Sequence, residues 1–119
     1  MVAQVDAMSG GRVDFGVGSG WFESEHAAYG LPFGSVGERM SRFEEAIAHI
    51  VGLWTTPPSE TYNSDGPVWS FEDSPALPKP EQRPHPPIII GGRGRKRTPA
   101  LVARYASDFN LPFTPLEEI

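Results

Sequence analysis

Pro84-His85-Pro86-Pro87-Ile88-Ile89-Ile90-Gly91-Gly92-Arg93-Gly94-Arg95-Lys96-Arg97-Thr98 is the stretch whose reading decides the fold. The prolines favour an extended approach, and three consecutive Ile residues suit a strand buried on both faces. The glycines that follow permit a tight turn whose backbone can come close to a ligand. Thr98-Pro99-Ala100-Leu101-Val102-Ala103-Arg104-Tyr105-Ala106 then has the pattern of a helix. Thr98 is its expected N-cap, Pro99 its first residue, and Leu101, Val102 and Tyr105 share one face. A helix start behind a glycine turn collects unpaired N–H groups and the positive end of the helix dipole, a combination that favours phosphate.

A second stretch has the same design. Arg12-Val13-Asp14-Phe15-Gly16-Val17 alternates, with Val13, Phe15 and Val17 on one side, and leaves through Gly16-Val17-Gly18-Ser19-Gly20-Trp21. Neither glycine exit completes a dinucleotide fingerprint, because Trp21 and Arg97 stand where the last glycine belongs, and neither has the P-loop spacing. Phe22 to Phe33 reads as a polar connection, and its Glu23, Glu25 and His26 fit no zinc spacing, so no metal site is expected. Ser35 and Glu38 form a capping box that opens a helix carrying Met40, Phe43, Ile47, Ile50, Val51 and Trp54 at helical spacing. His49 lies beside that stripe and is expected on the helix surface, while Arg39 and Glu45 are expected to support packing. Residues 55–87 form an irregular, Pro-rich insertion with a short hairpin around Asp65-Gly66. Asp108-Phe109-Asn110-Leu111 opens a further strand.

Strand, helix, excursion, strand, helix, strand implies a parallel sheet with helical crossovers. Ligands of such sheets sit at the carboxyl ends of the strands, so both glycine turns should face one pocket. The 119 residues allow one small domain, and the net charge of −5 argues against nucleic acid as the main partner. Arg93, Arg95, Lys96 and Arg97 do put four cations in five residues, but no aromatic residues interleave with them. The absence of cysteine removes disulfide and thiolate chemistry and fits the cytoplasm. No apolar run has the length of a membrane span, and Met1 to Met8 do not read as a signal peptide.

Taken in order, several motifs resemble the bacterial luciferase-like monooxygenase superfamily. They are Ser9-Gly10-Gly11-Arg12, Gly16-x-Gly18-x-Gly20-Trp21 with Glu25 and Gly30, Arg39 with Glu45 and Leu53-Trp54, Pro78-Lys79-Pro80, and Arg83-Pro84-His85-Pro86-Pro87 before Gly91-Gly92. The run from Gly91 to Thr98 is most similar to an actinobacterial branch of F420-dependent oxidoreductases. The resemblance implies an α/β chain that is a fragment, about strands 4 to 6, of a (β/α)8 TIM barrel. A full barrel needs about 250 residues. It also implies F420, or alternatively FMN, as cofactor, hydride transfer with a small organic substrate, and room for a homo-oligomer. By the same resemblance Gly18, Ser19, Gly20, Gly91, Gly92, Gly94, Arg97 and Thr98 would bind the cofactor, and Trp21 would line the substrate pocket. No residue stands out as a catalytic acid or base. The competing reading is an inactive truncated remnant; a nucleotide- or nucleic-acid-binding module rests on the basic run alone.

Overall fold

The computed structural model describes residues 1–118. Helix α1 covers Val2–Ser9, strand β1 Phe15–Gly18, α2 Glu23–Ala28, α3 Val36–Thr55, β2 Tyr62–Asp65, β3 Ser70–Ser74, β4 Ile88–Gly91, α4 Arg97–Tyr105 and β5 Asp108–Asn110; a single 3-10 turn spans Leu116–Glu118. Strands β1, β4 and β5 form a parallel sheet in that order, and β2 and β3 form a separate antiparallel hairpin. The expected parallel sheet with helical crossovers is therefore present.

Helices α3 and α4 cover one face of this sheet. Ile88 and Ile90 point into a core made with Met40, Phe43 and Ile47 of α3 and Leu101 of α4, with Phe15, Val17 and Trp54 packed around it. Ile90 and Ile47 are fully buried, and burial of such side chains contributes about 1.5–3 kcal/mol each. Ile89 is only half-buried, so the triple-Ile strand is not sealed on both faces as expected. Successive strand residues alternate between faces, and α3 and α4 supply cover on one side only.

Several boundaries differ from expectation. The regular pairing of β1 starts at Phe15, and Arg12 to Asp14 only lead into it. The connection from Phe22 to Phe33 contains helix α2, which a polar six-residue segment without an apolar stripe does not announce. Helix α4 starts at Arg97, with Lys96 as N-cap and no side-chain cap bond. Pro99 is thus the third helical residue, still within the turn whose N–H groups have no partner inside the helix, and it disrupts no ladder. The Ser35 capping box forms as read: Ser35 Oγ accepts from the Glu38 amide at 3.2 Å, and Glu38 Oε2 accepts from the Ser35 amide at 2.6 Å.

Residues 55–87 carry the hairpin, which docks on α3 where Gly52 leaves room for the Tyr62 ring. His49 is not on the surface as expected. It is buried against Tyr62 and Phe71, 2.9 Å from the Tyr62 hydroxyl and 3.3 Å from Glu45 Oε1, because the hairpin covers that side of the helix. Glu45 accepts hydrogen bonds from the Val68 and Trp69 amides and so holds the hairpin loop to α3.

Fully buried Asp6 ties the chain start to the approach of β4. It accepts from the Val13 amide, the Gln82 amide and the Gln82 side chain. Burial alone would push its carboxyl up; the bonds from Gln82 and Val13 outweigh that and hold it below its ordinary value of 3.8. A depressed folded-state value contributes stability above the unfolded value and loses it as pH falls through the folded one. The denaturation midpoint is therefore expected to drop as the solution is acidified below 3.8. Asp6→Ala should lower the midpoint at neutral pH and flatten this acid dependence, as read by circular dichroism in urea at a series of pH values.

Candidate functional site

The register of β1 on β4 pairs Gly18 with Gly91. The two glycine exits therefore leave the sheet side by side at the carboxyl ends of adjacent parallel strands. Contact is close enough that a Cβ on Gly18 would lie 3.3 Å from the Gly91 carbonyl oxygen. Beyond them opens a cleft of ≈ 1210 Å³. All eight residues expected to hold a cofactor, Gly18, Ser19, Gly20, Gly91, Gly92, Gly94, Arg97 and Thr98, line this cleft together with Trp21.

Each wall has a local cause. Gly20 has φ +81, a left-handed conformation that a residue with a Cβ rarely adopts, and it turns the chain away from β1. The Arg39 guanidinium locks this turn, donating from Nε to the Gly20 carbonyl at 3.2 Å and from a terminal nitrogen to the Gly34 carbonyl at 2.8 Å, while lying over the Phe33 ring. Trp21 is 75 % exposed and stacks on Phe22 at 5.3 Å, forming an aromatic lip. At the second turn Thr98 does not cap the helix. It is buried, and its Oγ1 would sit only 2.6 Å from a Cβ placed on Gly94, so the turn closes against this hydroxyl. Gly16 and Gly91 face open space: a Cβ on Gly16 would meet nothing within 4 Å, and one on Gly91 only the Asn110 carbonyl oxygen at 3.9 Å.

Arg97 lies on the cleft wall, but its guanidinium is turned to α3. Nε and a terminal nitrogen grip the two carboxylate oxygens of Glu44 at 2.7 and 2.6 Å. The Arg97 hydrogen bond holds the Glu44 carboxyl below the usual carboxylate range. Arg93 pairs with Glu118 at 3.5 Å. Arg95 and Lys96 have no ion-pair partner among the described residues, and both line the cleft. The structure also brings Glu25 and His26 to the cleft, through helix α2. His26 Nδ1 sits 2.9 Å from the Phe22 carbonyl oxygen, and its ring lies against Gly20. The sequence reads this pair as part of a polar connection; the Phe22-x-x-x-His26 spacing of a helical turn is the signal that points to α2. Among the described residues no group of three or more His, Asp or Glu side chains could hold a metal ion, and no helix is long and apolar enough to cross a membrane.

Residues 1–119 match the family model for luciferase-like monooxygenases. The chain belongs to that family. It is 40% identical over 94 residues to an FMNH2-dependent dimethylsulfone monooxygenase of Pseudomonas putida, an alignment covering 79% of this chain and 25% of that protein. It is 36% identical over 104 residues to an F420-dependent glucose-6-phosphate dehydrogenase of Amycolatopsis mediterranei, covering 87% of this chain and 28% of the relative. The crystal structure of monooxygenase RslO1 from Streptomyces bottropensis superposes with a TM-score of 0.80 at 27% identity, over 98% of this chain and 34% of that one. The chain thus spans about a quarter to a third of the length of these relatives. Its α/β architecture is that of a segment of the luciferase-like barrel.

The tight approach at Gly94 and the open space at Gly16 make a paired test. Gly94→Ala forces Thr98 to move and is expected to cost about 1–3 kcal/mol, the range for overpacking. Gly16→Ala should stay within about 0.5 kcal/mol of the parent. Urea denaturation of both variants measures the difference.

Proposed function

We propose that this chain provides the cofactor-phosphate side of an F420-dependent oxidoreductase that acts on a small organic molecule in the cytoplasm. FMN is the alternative cofactor. The single observation that carries the proposal is the register pair Gly18 and Gly91, which sets two glycine turns and the start of α4 around one cleft. Relatives on both sides of the cofactor divide, one FMNH2-dependent and one F420-dependent, support a flavin or deazaflavin; what favours F420 is the resemblance of the run from Gly91 to Thr98 to an F420-dependent branch.

The residues present fit such a group. Gly16 and Gly91 leave bare backbone along the cleft, where side chains would take up the space. Gly94 and Thr98 would receive the phosphate, since the first amides of α4 have no acceptor within the helix and the dipole favours an anion there; the Gly92 amide donates to the Asn110 carbonyl at 3.1 Å, so Gly92 would contribute close backbone approach and not a donor. Gly18, Ser19 and Gly20 would border the other side of the cofactor, with the Ser19 hydroxyl as a donor. Trp21 and Phe22 would exclude water from the mouth and contact the substrate. When bound, the cofactor supplies the hydride chemistry; the residues of this chain bind and orient it.

A second reading, an inactive remnant, is favoured by a specific observation. The outer edges of β1 and β5 have no strand partner among the described residues, and unpaired edges invite aggregation. Fluorescence titration of the purified chain with F420 and with FMN, alongside circular dichroism, decides between the two. Saturable micromolar binding by a folded chain, lost in Gly92→Val, is the expected result. A disordered or aggregated chain that binds neither would sink the first reading and leave the second.

A further inference from the structure

We infer that Arg97 is a positioning residue which holds the Gly92–Thr98 turn in place through α3, and that it does not itself grip the cofactor phosphate. Guanidinium has five N–H donors. Four are directed to α3: Nε to Glu44 Oε1 at 2.7 Å, one terminal nitrogen to Glu44 Oε2 at 2.6 Å and to Ser41 Oγ at 3.1 Å, and the other to the Gly37 carbonyl at 3.3 Å. One N–H is left for anything in the cleft. The three acceptor residues, 37, 41 and 44, are spaced four and three apart and so form one stripe over two turns of α3.

Position along the chain makes this grip consequential. Arg97 is the first residue of α4, directly before buried Thr98, whose hydroxyl closes on Gly94. Fixing Arg97 to α3 therefore fixes the direction in which the first amides of α4 point. The same helix holds the other glycine turn through Arg39 and the Gly20 carbonyl. One helix thus sets the separation of both turns by two arginine contacts, one donated from α3 and one accepted by it. The two-point carboxylate grip is the geometry in which arginine is not replaced by lysine without loss.

The ligand part of this inference rests on the cofactor reading above, so the test has two arms. In the first, FMN is titrated into the parent chain, Glu44→Gln and Arg97→Lys. Each variant is expected to bind about fivefold more weakly, in keeping with a half-exposed ion pair. If Glu44→Gln binds FMN as tightly as the parent or more tightly, Arg97 freed from its partner is a direct phosphate ligand, and the inference is overturned. In the second arm, amide hydrogen exchange is followed from Gly92 to Leu101 without ligand. Both single variants should exchange faster there, and the reversed pair R97E with E44R should recover slow exchange. Unchanged exchange in both single variants overturns the inference even if FMN binds. A parent chain that binds no FMN, with exchange that still depends on the pair, removes FMN as the cofactor and supports the positioning role.

Discussion

In-register parallel pairing of Phe15–Gly18 with Ile88–Gly91 is the constraint on which the rest of this structure depends. It aligns two apolar strands, so that Phe15, Val17, Ile88 and Ile90 present one surface to α3 and α4. It also ends both strands at the same level, which puts two glycine turns next to each other. A shift of one residue would send the Ile side chains to the open face and separate the turns. Packing and cleft are therefore set by a single geometric choice.

Much of the charge in the chain holds backbone in place. Arg39 is bound to carbonyls of the loops beside the cleft, Glu45 to amides of the hairpin, and Asp6 to the segment that leads into β4. Lys79, buried and without an acidic partner among the described residues, donates to the Leu53 carbonyl near the end of α3 at 2.7 Å. Burial holds its ammonium below the ordinary lysine value. These groups replace water at places where turns and helix ends leave polar backbone unpaired. The basic run divides in the same way. Arg97 and Arg93 have carboxylate partners, and Arg95 and Lys96 supply positive charge at the rim of an otherwise acidic chain.

The insertion between α3 and β4 has a comparable logic. Its hairpin does not join the main sheet but covers the helix flank that carries His49, enclosing imidazole, phenol and carboxylate in one contact group. Aromatic rings of Tyr62, Trp69 and Phe71 surround that histidine and provide its apolar shield. The excursion therefore contributes to the packing of α3, and through α3 to the geometry of the cleft.

Local signals in the amino-acid sequence determined the triple-Ile strand, the two glycine turns, the capping box at Ser35 and the strand–helix order, because each depends on residues a few positions apart. The same signals placed Gly18 to Trp21 and Gly91 to Thr98 at strand ends and predicted that both would face one pocket. Tertiary structure alone decided what those residues touch. Thr98 looked like a helix cap and instead closes on Gly94; His49 looked like surface and lies beneath the hairpin; Arg97 stands in a basic run expected at the cofactor, and its guanidinium is gripped by Glu44, fifty-three positions earlier. The physical reason is common to all three. A side chain's hydrogen-bond partner is set by which elements the sheet register and the helix packing bring together, and that distance in space has no counterpart in distance along the chain.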